Sequence, residues 1–92
     1  MNEIIKQWGV CLVVVTGGHV WVARSVMYDG HFYHCSGARI VREWGTSKGL
    51  NELVDGPTSK TILDAPADVV TIIEPAMIAI IPCREANWLA HL

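Results

Sequence analysis

The apolar positions of this chain fall in short runs of strand-like alternation, cut by glycine and proline. Gly9-Val10-Cys11-Leu12-Val13-Val14-Val15 is apolar on both alternating faces. Its β-branched residues favour a strand, and two apolar faces predict a central one. Thr16-Gly17-Gly18-His19 then reads as a hairpin turn, because glycine accepts a positive φ without a Cβ clash. Val20 to Tyr28 alternates unevenly, with Val20 and Val22 on one face and Trp21 and Ala23 on the other. Tyr28-Asp29-Gly30-His31 contains Asp-Gly, a strong short-range hairpin signal. A long third strand runs from Phe32 to Trp44, bulged or bent near Ser36-Gly37. These three strands make a meander.

The second half changes period. Ser47 to Val54 predicts a two-turn helix, with Ser47 as N-cap and Leu50, Leu53 and Val54 as its apolar face. Asp55-Gly56-Pro57 stops it. Residues 57–66 read as a loop with a short extended piece at 60–63. Val69 to Ile73 and Ala76 to Ile81 are further strands, split by Glu74-Pro75 and closed by Pro82. The tail, Arg84 to Leu92, predicts one amphipathic turn anchored by Trp88 and Leu89. The expected fold is mainly β (α+β), a single domain over residues 1–92. It is a small antiparallel sheet or barrel of about five strands with one short helix.

Composition adds an expectation about partners. Of 92 residues, 51% are hydrophobic and 17% are charged, against about 25% charged in average chains. A short chain has a large surface for its volume, so a low charged fraction predicts surface buried against copies of itself: a homo-oligomer. The formal net charge of −2 argues against broad DNA or RNA binding, which needs unbalanced Lys and Arg. No apolar run is long enough to span a membrane, and the first residues lack a leader pattern, so the expected location is cytoplasmic. Cys11, Cys35 and Cys83 form no CxxC pair; Cys11 and Cys83 read as small buried hydrophobes.

The polar, conformationally special part is the stretch from Ala38 to Leu50, which holds Arg39, Arg42, Trp44, Thr46, Ser47 and Lys48. A helix N-terminus offers unpaired N–H groups and partial positive charge to an anion. Arginine forks onto phosphate oxygens, and tryptophan stacks on flat rings. Those residue types suit a nucleotide-like small molecule, set against a capped helix with internally paired arginines. Arg39 and Arg42 are an odd number of positions apart, so a regular strand puts them on opposite faces. The expected ligand set is Arg42, Trp44, Thr46, Ser47 and Lys48, with Arg39 given to a structural ion pair or a neighbouring subunit. His19 and Trp21, together on one strand face beside the Gly-Gly turn, are the next candidate pocket.

Other constellations carry less. His31, His34 and Cys35 do not gather on one face of a strand, so no metal site is expected. Ser36-Gly37 and Thr46-Ser47 lack the strained turn of a hydrolase nucleophile, and no His–acid pairing is readable. Asp64 and Asp68 flank Pro66 as turn residues. No enzyme and no cofactor is expected.

The segments Ala38-Arg39-Ile40, Trp44-Gly45-Thr46, Gly49-Leu50, Glu52-Leu53, Gly56-Pro57-Thr58, Thr61 and Leu63-Asp64 resemble an uncharacterised family of small proteins of tailed phages and prophages. Gly30 and the strand ending Ile81-Pro82-Cys83 also fit, so the resemblance covers roughly residues 10–83. It implies phage origin and a meander-plus-helix fold. It carries no assigned reaction and so transfers no catalytic residue. The resulting expectation is a non-enzymatic, homo-oligomeric phage protein that sequesters a small anionic, nucleotide-type molecule. The competing expectation is a protein-interaction, assembly or host-inhibitor protein whose partner is a host protein.

Overall fold

The first half of the chain forms the predicted meander in the computed structural model, which describes residues 3–92. The first two residues, part of the leader reading, lie outside the described residues. Strands β1 (Lys6–Trp8) and β2 (Cys11–Val15) run along β3 (His19–Ala23) and β4 (Ser25–Tyr28). Lys6 to Trp8 face Tyr28 to Val26, and Cys11 to Val15 face Ala23 to His19, in one register. Strand β5 (Phe32–Glu43) continues the pattern on the other side, with Tyr33 to Ser36 facing Tyr28 to Ser25 and Arg39 and Ile40 facing Val22 and Trp21. Both predicted turns form. Gly17 and Gly18 adopt φ of 89° and 79° in the first, and Gly30 a φ of 95° in the second.

β5 is long enough to carry further strands. Its first half pairs with β7 (Ala67–Ile73) and its second half with the two-residue β6 (Ile62–Leu63). β8 (Met77–Pro82) pairs with β2. The whole is an antiparallel, nearly closed barrel-like sheet of eight strands among the described residues. Eight stand where about five were expected. The first two strand paths are each interrupted by a bend, into β1 and β2 and into β3 and β4, and β6 is too short to read from alternation.

Two apolar clusters lie on opposite faces of the sheet. The inner one holds Cys11, Val13, Ala23, Val26, Cys35, Ala38 and Ile72, and the outer one Val10, Leu12, Val20, Val22, Val41, Leu53 and Trp88. Cys35, not Cys83, joins Cys11 among the fully buried residues; Cys83 is half-buried. Burial pushes the Cys11 thiol up to about 12 and the Cys35 thiol up to about 11, so both persist as neutral, packed thiols.

The predicted helix is shorter and tighter than expected. It is a 3-10 helix over Leu50–Asp55, and Ser47 does not cap it. Gly49 precedes it with φ of 95°, a conformation that cannot continue a helix backward to Ser47. The Glu52 carboxylate instead accepts the N–H groups of Ser47 (3.0 Å) and Lys48 (3.4 Å). The tail forms a short α-helix, α1 (Glu85–Trp88), then a 3-10 turn over Leu89–His91. Trp88 is fully buried and its Nε1 donates to the Leu53 carbonyl at 2.7 Å. Leu89, expected as a second anchor, is 44% exposed.

Because Trp88 is the largest fully buried side chain, its removal leaves both a cavity and an unpaired carbonyl. Trp88→Ala is expected to lose about 3–5 kcal/mol of stability, read from the urea midpoint at unchanged slope.

Candidate functional site

The residues singled out in the 38–50 stretch do not form one site. Trp44-Gly45 is locked to the loop that follows the 3-10 helix. The Thr58 hydroxyl donates to the Gly45 carbonyl and the Thr61 hydroxyl to the Trp44 carbonyl, each at 2.6 Å. The same two oxygens accept backbone N–H groups, Thr61 Oγ1 from Thr58 at 2.8 Å and Thr58 Oγ1 from Lys60 at 3.1 Å. Gly45 has φ of 66°, and a Cβ there would lie 2.3 Å from the Lys60 carbonyl carbon. The motifs Trp-Gly-Thr and Gly-Pro-Thr are thus two halves of one interlock.

A polar hollow of about 400 Å³ remains beside this lock, lined by Gly45, Thr46, Ser47, Glu52, Thr58, Ser59 and Lys60. Thr46 and Ser47 reach it. The Ser47 and Lys48 amides, which an anion would need, are taken by Glu52. Trp44 is 41% exposed and is absent from the lining.

The two arginines meet on Asp64. Arg42 Nη2 pairs with its carboxylate at 2.5 Å, and Arg39 Nε donates to its backbone oxygen at 2.6 Å. Arg39 Nη1 also donates to the His91 carbonyl at 2.6 Å, which ties β5 to the tail. Arg39 therefore braces backbone oxygens, where an ion pair or a neighbouring subunit was expected. The Arg42 side chain remains two-thirds exposed.

His19 and Trp21 are brought together as the alternation predicts. With Val15, Ile40, Val70, Thr71, Ile72, Ile73 and Ala76 they line a largely apolar cavity of about 410 Å³. Trp21 and Ile40 are cross-strand partners on β3 and β5, and Val15 comes from the end of β2. The facing wall is β7, some fifty residues on in the chain. No local signal near His19 points to that wall; it comes from the long-range pairing of β7 with β5.

A His–acid pair that the sequence did not reveal lies at the β4–β5 turn. Asp29 Oδ1 accepts the N–H groups of His31 (2.9 Å) and Phe32 (2.8 Å), and Oδ2 lies 2.8 Å from His34 Nε2. His34 Nδ1 is 3.4 Å from the Thr71 hydroxyl on β7. These contacts, led by the His34 bond, hold the Asp29 carboxyl well below the usual carboxylate range. The cluster adjoins the Trp21 cavity through Thr71, one of the residues that line it. At the same turn, the Tyr28 hydroxyl donates to Glu74 at 2.7 Å, which pushes the phenol up to about 12. No group of three or more His, Cys, Asp or Glu side chains is arranged to hold a metal among the described residues.

No protein-family model, curated protein or solved structure matches the chain.

Two outcomes follow from this geometry. Gly45→Ala is expected to lose about 1–3 kcal/mol from backbone conformation alone, and more from the overlap with Lys60; thermal unfolding measures it. Asp29 has a lowered folded-state pKa, so its contribution to stability is complete above the unfolded carboxylate value of about 4. It is lost as pH falls through that value toward the folded one. Asp29→Asn should flatten this acid limb of stability against pH and leave the limb above neutrality unchanged, as read from urea midpoints.

Proposed function

We propose that the chain is a non-enzymatic binding protein, assembled as a homo-oligomer, that receives an apolar or flat aromatic group in the cavity beside Trp21. The cavity carries this reading. Its 410 Å³ lies within the range of about 300–1,000 Å³ typical of ligand sites, and such sites combine apolar walls with few polar groups. Here the walls are Val15, Ile40, Val70 and Ile72, the flat face is Trp21, and His19 and Thr71 are the polar lining residues.

The polar hollow at Thr46 and Ser47 is the weaker candidate. The Ser47 and Lys48 amides and the Thr58 hydroxyl are committed, and a bound anion would face the Glu52 carboxylate. Of a nucleotide-type molecule, the base is the part that the Trp21 cavity suits, with its phosphate left at the mouth. The resemblance to phage and prophage proteins supplies a context in which sequestering a host molecule is useful. The homo-oligomer rests on the low charged fraction and on large apolar side chains left on the surface, such as Ile62 and Ile78.

Nile red, an uncharged planar dye, is expected to gain fluorescence on titration with the protein. Trp21→Ala should weaken that binding by roughly tenfold or more while circular dichroism stays unchanged. Unaltered dye affinity in a folded Trp21→Ala variant would move the site elsewhere. Light scattering during size exclusion should give a dimer or larger at micromolar concentration; a monomer throughout that range would remove the oligomer from the reading.

A further inference from the structure

The cavity beside Trp21 follows an edge of β7. Four consecutive residues, Val70, Thr71, Ile72 and Ile73, line it. Side chains of a strand alternate between faces. Consecutive residues therefore share a cavity only where it runs along the strand's edge and meets the backbone. β7 uses its other edge on β5, in one register from Ile73 opposite Phe32 to Ala67 opposite Ala38. It has no second strand neighbour among the described residues. An unpaired edge presents a row of free N–H and C=O groups, usually blunted by lysine, proline or a bulge. β7 contains none of these, and its outward residues Val69 and Ile73 are 58% and 55% exposed.

We propose that the free edge of β7 and the Trp21 cavity form one groove that binds an extended peptide by strand addition. Backbone pairing with β7 supplies affinity, and alternate apolar side chains enter the cavity. This rests on the preceding reading of the cavity as a binding site and names its occupant. Charge selects the ends of that occupant. The lining residues include no Lys, Arg, Asp or Glu, while the lining stretch of β7 is flanked by Asp68 and Glu74, both exposed. A segment with apolar residues at alternate positions and a basic residue at each end complements this arrangement. A second copy of β7 fits less well. Self-pairing about Thr71, which sets Val69 against Ile73, also sets Asp68 against Glu74, and like charges directly opposite destabilise a strand pair.

The test uses the whole chain and a labelled synthetic peptide that alternates valine and threonine between two end lysines. Fluorescence anisotropy should show saturable binding. N-methylation of one alternate set of its amides should weaken binding by roughly tenfold or more, and methylation of the other set should leave it unchanged. Replacing the end lysines by glutamate should weaken binding roughly two- to fivefold. Nile red should compete with the peptide. Dye binding that depends on Trp21, with no peptide binding, overturns strand addition and leaves the cavity reading standing. Absence of both overturns both. Equal effects from the two methylation patterns, or self-association that the peptide cannot reduce and Thr71→Lys abolishes, also overturn the proposal, the latter by giving the edge to a second copy.

Discussion

One bend line across three adjacent strands gives this small sheet its shape. Inward-facing residues in a regular strand are two apart. Here the inner cluster takes Trp8 and then Cys11 from the first path, Ala23 and then Val26 from the second, and Cys35 and then Ala38 from the third. Each step is three residues. The phase therefore changes at Gly9-Val10, at Arg24-Ser25 and at Ser36-Gly37, which are neighbours across the sheet. Registers are kept on both sides of the line, so the strands change face together. Gly37 makes this possible, with φ of 59° and the Arg24 side chain lying where its Cβ would be. The Arg24 N–H also donates to the Ser36 carbonyl at 2.9 Å, which pins the bend. Folding along this line turns a flat meander, exposed on one face, into two halves that bury Cys11, Cys35 and Ile72 between them.

The outer face needs its own cover, and the arginines hold that cover in place. Leu53 and Trp88 lie over Leu12, Val20 and Val22. Arg24 donates to the Leu92 backbone oxygen and Arg39 to that of His91, each at 2.6 Å. Arg84 pairs with Asp55 at 2.5 Å, and Asn87 donates to the Asp55 carbonyl. Each of these exposed contacts is worth little alone. Arg24 and Arg39 satisfy oxygens in a tail too short to complete its own hydrogen bonds, and Arg84 and Asn87 tie that tail to the end of the first 3-10 helix. The scarce arginines divide their work: Arg24 and Arg39 serve backbone oxygens, and Arg42 and Arg84 pair with carboxylates at the surface.

The strands, both hairpins and the Glu74-Pro75 corner were legible because each rests on local chemistry, alternation or a turn residue. The bend near Ser36-Gly37 was legible from its glycine, and the uneven alternation from Val20 to Tyr28 was visible too, but a period-two reading has no term for a face change, so the splits into β1 and β2 and into β3 and β4 stayed hidden. The 3-10 helix was displaced because Ser47 is a good cap in isolation, whereas Gly49 and Glu52 decide where the helix starts. The polar stretch from Arg39 to Lys48 drew attention for the right residue types. Their partners, Asp64, Thr58, Thr61 and His91, come from distant positions, and one sequence does not show that those partners are already taken. His19 and Trp21 stood out from local pattern alone. Their opposite wall on β7 depends on pairing that only the folded chain reveals.

The lock and the open groove have a common origin. Once the meander folds along its bend, β5 becomes the shared partner of β4 and β7 in its first half and of β3 and β6 in its second. The crossing from one half to the other must be covered where β5 leaves the sheet, and the Trp44-Gly45 interlock does this by consuming the hydroxyls of Thr58 and Thr61. On the far side, β7 and β8 are joined by a three-residue 3-10 turn, Glu74–Ala76, and do not pair with each other. That missing pairing is the gap in the barrel, and Trp21, Ile40 and Val15 are the inward residues it uncovers. The polar cluster is therefore what closing the sheet requires, and the apolar cavity is what incomplete closing leaves. The binding role proposed above rests on the second, where the edge of β7 has no strand partner among the described residues.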